Sequence, residues 1–93
     1  MKYKKIPMNI FNLESVQMFV QLYDYDVYIY DSEIGRSILK IEHMTPMPMF
    51  HRIRVHVGCI NNPKKGIIHL SEEDFNGLYL LYNPGSKKAI YAL

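Results

Sequence analysis

The chain has 93 residues, of which 48% are apolar and 22% charged, and its formal net charge is +2. This length allows one hydrophobic core, and this composition argues against disorder. No apolar run approaches the roughly 18 residues that a membrane helix needs, which argues against a membrane protein.

The single cysteine, Cys59, leaves no partner for an internal disulfide, so we expect a buried thiol in a reducing compartment. The first eight residues lack the uninterrupted apolar segment of a secretory signal. We therefore predict a cytoplasmic protein. The many Lys, Ile, Asn, Tyr and Phe residues and the few Ala residues are typical of an AT-rich gene, such as those of low-GC bacteria, their phages and plasmids.

The first part of the chain predicts an edge strand followed by a helix. Residues 1–11 alternate loosely, and Pro7 has no amide hydrogen to donate, which limits a strand here to the edge of a sheet. Residues 12–22 have a capping Asn12 and helical apolar spacing at Leu13, Val16 and Val20. The alternative is a strand, with Val16, Met18, Val20 and Leu22 on one side.

The next segments predict a hairpin and a linker. Residues 23–30 alternate with a period of two and are rich in Tyr, Val and Ile, which favours a strand. A turn with the sequence DSEIG precedes a returning strand at residues 37–43. Because Pro46 and Pro48 interrupt residues 44–49, we expect an exposed, irregular linker that carries three methionines.

The clearest pattern in the chain is a strand at residues 50–60. Its apolar residues fall on one side and its polar residues on the other, which is the period of a strand with one buried face. The apolar side carries Ile53, Val55, Val57 and Cys59, and the polar side carries Arg52, Arg54, His56 and Gly58.

The last third predicts a strand at residues 66–70, a helix and a final strand. Ser71, followed by three acidic residues, is a helix N-terminus signature, and we prefer a helix over residues 71–82. The alternative ends this region with a strand, LYLLY, that turns back into residues 87–93. We predict a single α+β domain, with a mainly antiparallel sheet of about five strands and one or two helices on one face.

The sequence predicts no enzyme. It has no glycine-rich phosphate loop, paired-cysteine motif or nucleophile elbow. His43, His51, His56 and His69 lack the spacing of a zinc motif, and Asp24 and Asp26 are more typical of exposed charges than of a catalytic pair. We therefore expect no cofactor and no metal.

The residue types favour binding to another protein. Tyrosine, methionine and arginine are enriched in protein interfaces, and we expect them to be exposed on the first hairpin, the linker and the central strand. The hypothesis is an inhibitor or adaptor from a phage or other mobile element. The candidate partner-binding residues are Tyr28, Tyr30, Met47, Met49, Arg52 and Arg54.

Two further interactions stay open. Arg52 and Arg54 lie about 6.5 to 7 Å apart along a strand, so together with Lys64 and Lys65 they could contact successive phosphates of a nucleic acid. A homodimer is also possible if the last strand or the N-terminal arm leaves an open sheet edge.

Overall fold

A computed structural model describes residues 3–31, 36–59 and 65–92 of the chain. Within these ranges, seven strands form one sheet, and the predicted α+β class is confirmed. The α-helices are α1 (Leu13–Leu22) and α2 (Glu72–Asn76), and a 3-10 helix spans Pro48–Phe50. The strands are β1 (Lys4–Pro7), β2 (Asp26–Asp31), β3 (Arg36–Met47), β4 (Arg52–Cys59), β5 (Lys65–Ser71), β6 (Tyr79–Asn83) and β7 (Lys88–Ala92).

The sheet is mixed, with the strand order β1-β6-β7-β2-β3-β4-β5. The prediction of about five strands is wrong in number, and it missed that β7 pairs in parallel with β2. This pairing joins segments far apart in the chain, and no local sequence pattern reveals it. The edges of the described sheet are β1, as predicted, and β5, while the last strand lies between two neighbours.

Helix α1 is confirmed, but the Asn12 side chain does not form the predicted cap at its N-terminus. Leu13 and Val16 are buried against the sheet. The Asn12 side chain does not cap the helix, because its Oδ1 accepts a hydrogen bond from the Asn9 amide at 3.0 Å. Its Nδ2 donates to the Pro7 carbonyl at 2.7 Å, so Asn12 fastens the turn that connects β1 to α1.

Aromatic rings hold the end of α1 against the sheet. The Phe19 ring lies 5.4 Å from the Tyr25 ring and 5.2 Å from the Tyr82 ring of β6. Strand β2 begins only at Asp26, three residues later than predicted, because Asp24 has a left-handed backbone with φ of 55°. A strand cannot continue through that conformation.

Strand β3 continues through Met47, so the prediction of an irregular linker is wrong for residues 44–47, and only Pro48 and Met49 lie in an exposed turn outside the strands. Met44 is buried in the core, and its amide donates to Gln17 Oε1 at 2.6 Å, on the side of β3 away from β4. Pro46 lies two residues later, so its nitrogen faces the same side. Because β2 pairs with β3 only as far as Lys40, no donor is missed there.

Only the first part of the predicted helix at residues 71–82 forms. Ser71 caps α2 as expected, with its Oγ accepting a hydrogen bond from the Asp74 amide at 3.0 Å. The helix ends at Asn76 because β6 follows and pairs with both β1 and β7, which is the alternative that the sequence left open. Pairing on both sides stabilises Tyr79–Asn83 as a strand, where Leu80 is fully buried.

One hydrophobic core joins both helices to one face of the sheet. In β4 the predicted alternation is confirmed, since Ile53, Val55 and Val57 are all buried. Leu13 of α1 and Phe75 of α2 belong to the same core cluster. The opposite face of the sheet carries no described helix.

Candidate functional site

The pairing register extends the alternation of core-facing and outward-facing side chains in β4 to the other strands of the described sheet. Met47 pairs with Arg52, and Thr45 pairs with Arg54, so these side chains share the face opposite the core. We call this face the open face. Its described side chains include Lys5, Asp26, Tyr28, Lys40, His43, Thr45, Met47, Arg52, Arg54, His56, Ile67, His69, Tyr79, Leu81, Lys88 and Ile90.

The turn between β3 and β4 forms an exposed apolar tip. Met49 is 91% exposed and Phe50 is 64% exposed, although both belong to residue types that normally avoid water. The 3-10 helix directs these residues outward, and none of its residues is buried. We call Met47, Met49 and Phe50 the hairpin tip.

Contacts between His51 and α2 hold the hairpin tip in place. His51 has a left-handed backbone with φ of 51°, which closes the turn into β4. Its carbonyl accepts a hydrogen bond from the Glu72 amide at 2.8 Å, and its Nδ1 lies 3.5 Å from Glu72 Oε2. The tip is therefore fastened to the first residue of α2, which reduces the entropy that binding would cost.

The two arginines lie beside the hairpin tip but in different environments. Arg52 is exposed, whereas Arg54 is half-buried. The Nε of Arg54 is buried and has no hydrogen-bond partner within the described residues. A buried donor without an acceptor is costly, so Arg54 is held in a position that does not favour stability.

The predicted tyrosines lie on the same sheet but away from the arginines. Tyr28 is half-buried on the open face. It lies two strands away from Arg54, which is about 10 Å across the sheet, and about 13 Å from Arg54 along the strand direction. The Tyr30 backbone belongs to β2, but its side chain lies outside the described residues, as does the Lys65 side chain of β5. Lys64 lies wholly outside them.

An ion pair neutralises the acid nearest to Tyr28. Lys40 Nζ lies 3.1 Å from Asp26 Oδ1, and this hydrogen bond raises the pKa of the lysine. Asp26 is therefore a structural partner, and Asp24 has left the strand, so the two carboxylates do not form the pair that strand alternation would give.

The sequence did not predict a stacked histidine pair next to Arg54. The rings of His43 and His56 lie 4.1 Å apart and nearly parallel, at 11°. They face each other because β3 contains a bulge between Ile41 and His43, which shifts the register by one residue. The spacing of histidines in the sequence could not reveal this shift.

A cleft of about 750 Å³ lies between α1 and the start of β2, where β3 extends past its neighbour. Gln17, Lys40 and His43 are among its lining residues. Within residues 3–31, 36–59 and 65–92, no three His, Cys, Asp or Glu residues converge as they would around a metal ion. In the same ranges, no helix has the length and apolar character to cross a membrane.

The sequence also missed Phe50, which it assigned to the central strand. Pro48, which lies two residues before Phe50 and begins the 3-10 helix, is the signal that could have placed Phe50 in the turn. Comparison with protein-family models, with curated proteins and with solved structures finds no match for this chain.

Proposed function

We propose that this chain is a non-catalytic binding protein that engages an acidic, partly apolar surface of another protein. The binding site is the hairpin tip together with Arg52 and Arg54. The single observation that carries the proposal is the nearly full exposure of Met49 at the end of a fastened hairpin, next to two arginines. Exposed apolar residues bordered by charged residues are typical of interaction sites.

The side chains of this site have the chemistry of binding hot spots. An aromatic ring and flexible methionine side chains fill pockets of a partner, and the guanidinium groups of arginine bind carboxylates in pairs of hydrogen bonds. The tip residues Met49 and Phe50 are exposed to solvent and do not belong to the core cluster, so they do not stabilise the fold. Binding to a partner would bury these apolar side chains and explain why they are exposed in the free protein.

The charge of the open face favours an acidic partner. Besides Lys40, which is paired with Asp26, four basic side chains lie on its described part, namely Lys5, Lys88 and the two arginines. Of the acidic residues there, Asp26 is neutralised by Lys40, and Glu42 lies near Gly58, at the far end of β4 from the hairpin tip. A positive surface attracts an acidic partner and accelerates the encounter between them.

The alternative is a nucleic-acid-binding protein that uses the same arginines with Lys64 and Lys65. The exposed apolar tip argues against it, because Met49 and Phe50 would lie beside phosphates. Salt dependence separates the two functions, since each phosphate contact releases counterions and makes affinity fall steeply with salt.

We propose a role in the cytoplasm as an inhibitor or adaptor that is encoded by a phage or other mobile element of a low-GC bacterium. The composition of the chain and its single cysteine support this setting, as argued from the sequence.

Affinity capture from a low-GC bacterial lysate tests the proposal. We expect the wild type to recover a specific protein, and we expect Met49→Ala/Phe50→Ala and Arg52→Glu/Arg54→Glu to lose it. Tyr3→Ala is the matched control, because Tyr3 is an exposed aromatic residue just before β1, at the opposite edge of the sheet. Equal recovery by all variants would reject the proposed site.

A parallel titration tests the alternative. Labelled single-stranded and double-stranded oligonucleotides are titrated by fluorescence anisotropy at two salt concentrations. Tight binding that weakens steeply with salt and disappears in Arg52→Glu/Arg54→Glu would assign the site to nucleic acid instead.

A further inference from the structure

We propose that two copies of this chain associate through α1, packed antiparallel across a two-fold axis. The feature that points to this is an exposed apolar stripe along the outward side of the helix and the turn that precedes it. Phe11 is 94% exposed, Met18 65% and Leu22 74%. These three residues and Ser15, which lies between them, are called the α1 stripe.

The α1 stripe lies opposite the side of the helix that the core uses. At about 100° per residue, Ser15, Met18 and Leu22 fall within about 60° of arc. The buried residues Leu13 and Val16 lie on the other side of the helix. An amphipathic surface helix would carry charged or polar residues in place of Met18 and Leu22.

The spacing of the stripe matches a two-fold axis. The midpoint between Ser15 and Met18 is also the midpoint between Phe11 and Leu22. In an antiparallel pair centred there, Phe11 contacts Leu22 of the second copy, and Ser15 contacts Met18 of the second copy. A two-fold interface requires this self-complementarity, and here a small side chain faces a long one.

The polar groups along the stripe are already satisfied within one copy. Ser15 Oγ donates to the Asn12 carbonyl at 2.9 Å, and the Phe11 amide donates to Asn9 Oδ1 at 2.9 Å. Burial would therefore leave neither donor without an acceptor.

Charge opposes the pairing only weakly. Glu14 is the one formally charged residue of α1. Its two copies would lie about 7.5 Å apart along the helix axis, at 1.5 Å rise per residue. The macrodipoles of the two helices would also run in opposite directions, which is favourable.

The size of the α1 stripe predicts a weak dimer. Its three large side chains offer about 400 Å² per copy, within the range of the largest apolar patches on monomers. Two copies with their rim then approach the roughly 1,000 Å² of a weak biological interface. We expect a dissociation constant on the order of micromolar.

Such a dimer keeps the partner site free. The α1 helix lies on the core side of the sheet, and the open face lies on the other, so the dimer presents two hairpin tips. Self-association needs no partner protein, so it can fail while the proposed function holds, and the reverse.

Sedimentation velocity of the pure protein, from about 1 to about 300 μM, tests the proposal. The variants Met18→Glu/Leu22→Glu and Phe11→Lys/Ser15→Lys should each stay monomeric. Their equimolar mixture should form a 1:1 dimer, because the proposed register brings each new lysine opposite a new glutamate. The control Ile67→Lys, on the open edge strand β5, should dimerise like the wild type.

The opposite results overturn the proposal. A wild type that stays monomeric at the highest concentration contradicts it. So does a dimer that Ile67→Lys abolishes and Met18→Glu/Leu22→Glu does not, which would assign association to the β5 edge. A mixture of the two charged variants that stays monomeric contradicts the register.

Discussion

Replacement of Arg54 by methionine should separate binding from folding. The Nε of Arg54 is buried without a hydrogen-bond partner within the described residues. A buried donor left unsatisfied costs about 1 to 3 kcal/mol, and methionine has a similar length without that donor. We expect the free energy of unfolding to stay equal or to rise by about 1 kcal/mol. The loss of an arginine hot spot should cost about 2 kcal/mol of partner binding.

Urea unfolding followed by circular dichroism measures the first effect, and calorimetric titration with the captured partner measures the second. Arg52→Met is the matched control. Because Arg52 is exposed, its replacement should change stability by less than about 0.5 kcal/mol, while binding still weakens. A loss of stability of more than about 1 kcal/mol in Arg54→Met, with binding unchanged, would show that Arg54 stabilises the fold and does not bind the partner.

Three further predictions concern the fold that supports the site. Gln17→Leu leaves the Met44 amide without its acceptor and should lower the free energy of unfolding by about 1 to 3 kcal/mol, whereas exposed Gln21→Leu should not change it in urea unfolding. Ser71→Ala removes the cap of α2 and should cost about 1 kcal/mol in the same assay; no change would contradict the capping contact. Burial raises the pKa of Tyr91 above 10.0 in the folded chain, so the unfolded chain loses that proton first and stability should fall as the pH rises above 10.0. Tyr91→Phe should make that fall shallower, and an equal slope in unfolding experiments at several pH values would contradict the prediction.

Local sequence patterns correctly predicted the elements that pack against the core with one side only. The alternation of Ile53, Val55 and Val57 correctly gave a one-sided strand, and the spacing of Leu13 and Val16 correctly gave α1. In both cases the order of residues alone identifies the buried side, because one side of the element packs in the core and the other is exposed to solvent.

The failures have their cause in long-range contacts. Pro46 suggested a linker, but the strand continues because its nitrogen faces a side of β3 that has no partner strand. Residues 79–83 could continue a helix in isolation, yet pairing with β1 and β7 makes them a strand. The parallel pairing of β2 and β7 and the bulge before His43 depend on the whole sheet, so the sequence could not give them.

The candidate site was predictable in part for the same reason. The period of β4 correctly grouped Arg52 with Arg54, and the register now adds Met47 beside them. Tyr28 lies on the same face but about 13 Å along the sheet, a separation that a linear sequence does not contain. The predicted use of these residues in binding stays a prediction.

Hydroxyl-radical footprinting of the protein, alone and with its captured partner, shows whether the partner covers the hairpin tip. In the free protein at low concentration, Met49 and Phe50 should oxidise quickly, and buried Met44 should oxidise slowly. With the partner bound, Met49 and Phe50 should become protected while Met18 stays reactive. Protection of Met18 with no change at Met49 and Phe50 would contradict the proposed binding site, because the partner would then bind away from the hairpin tip.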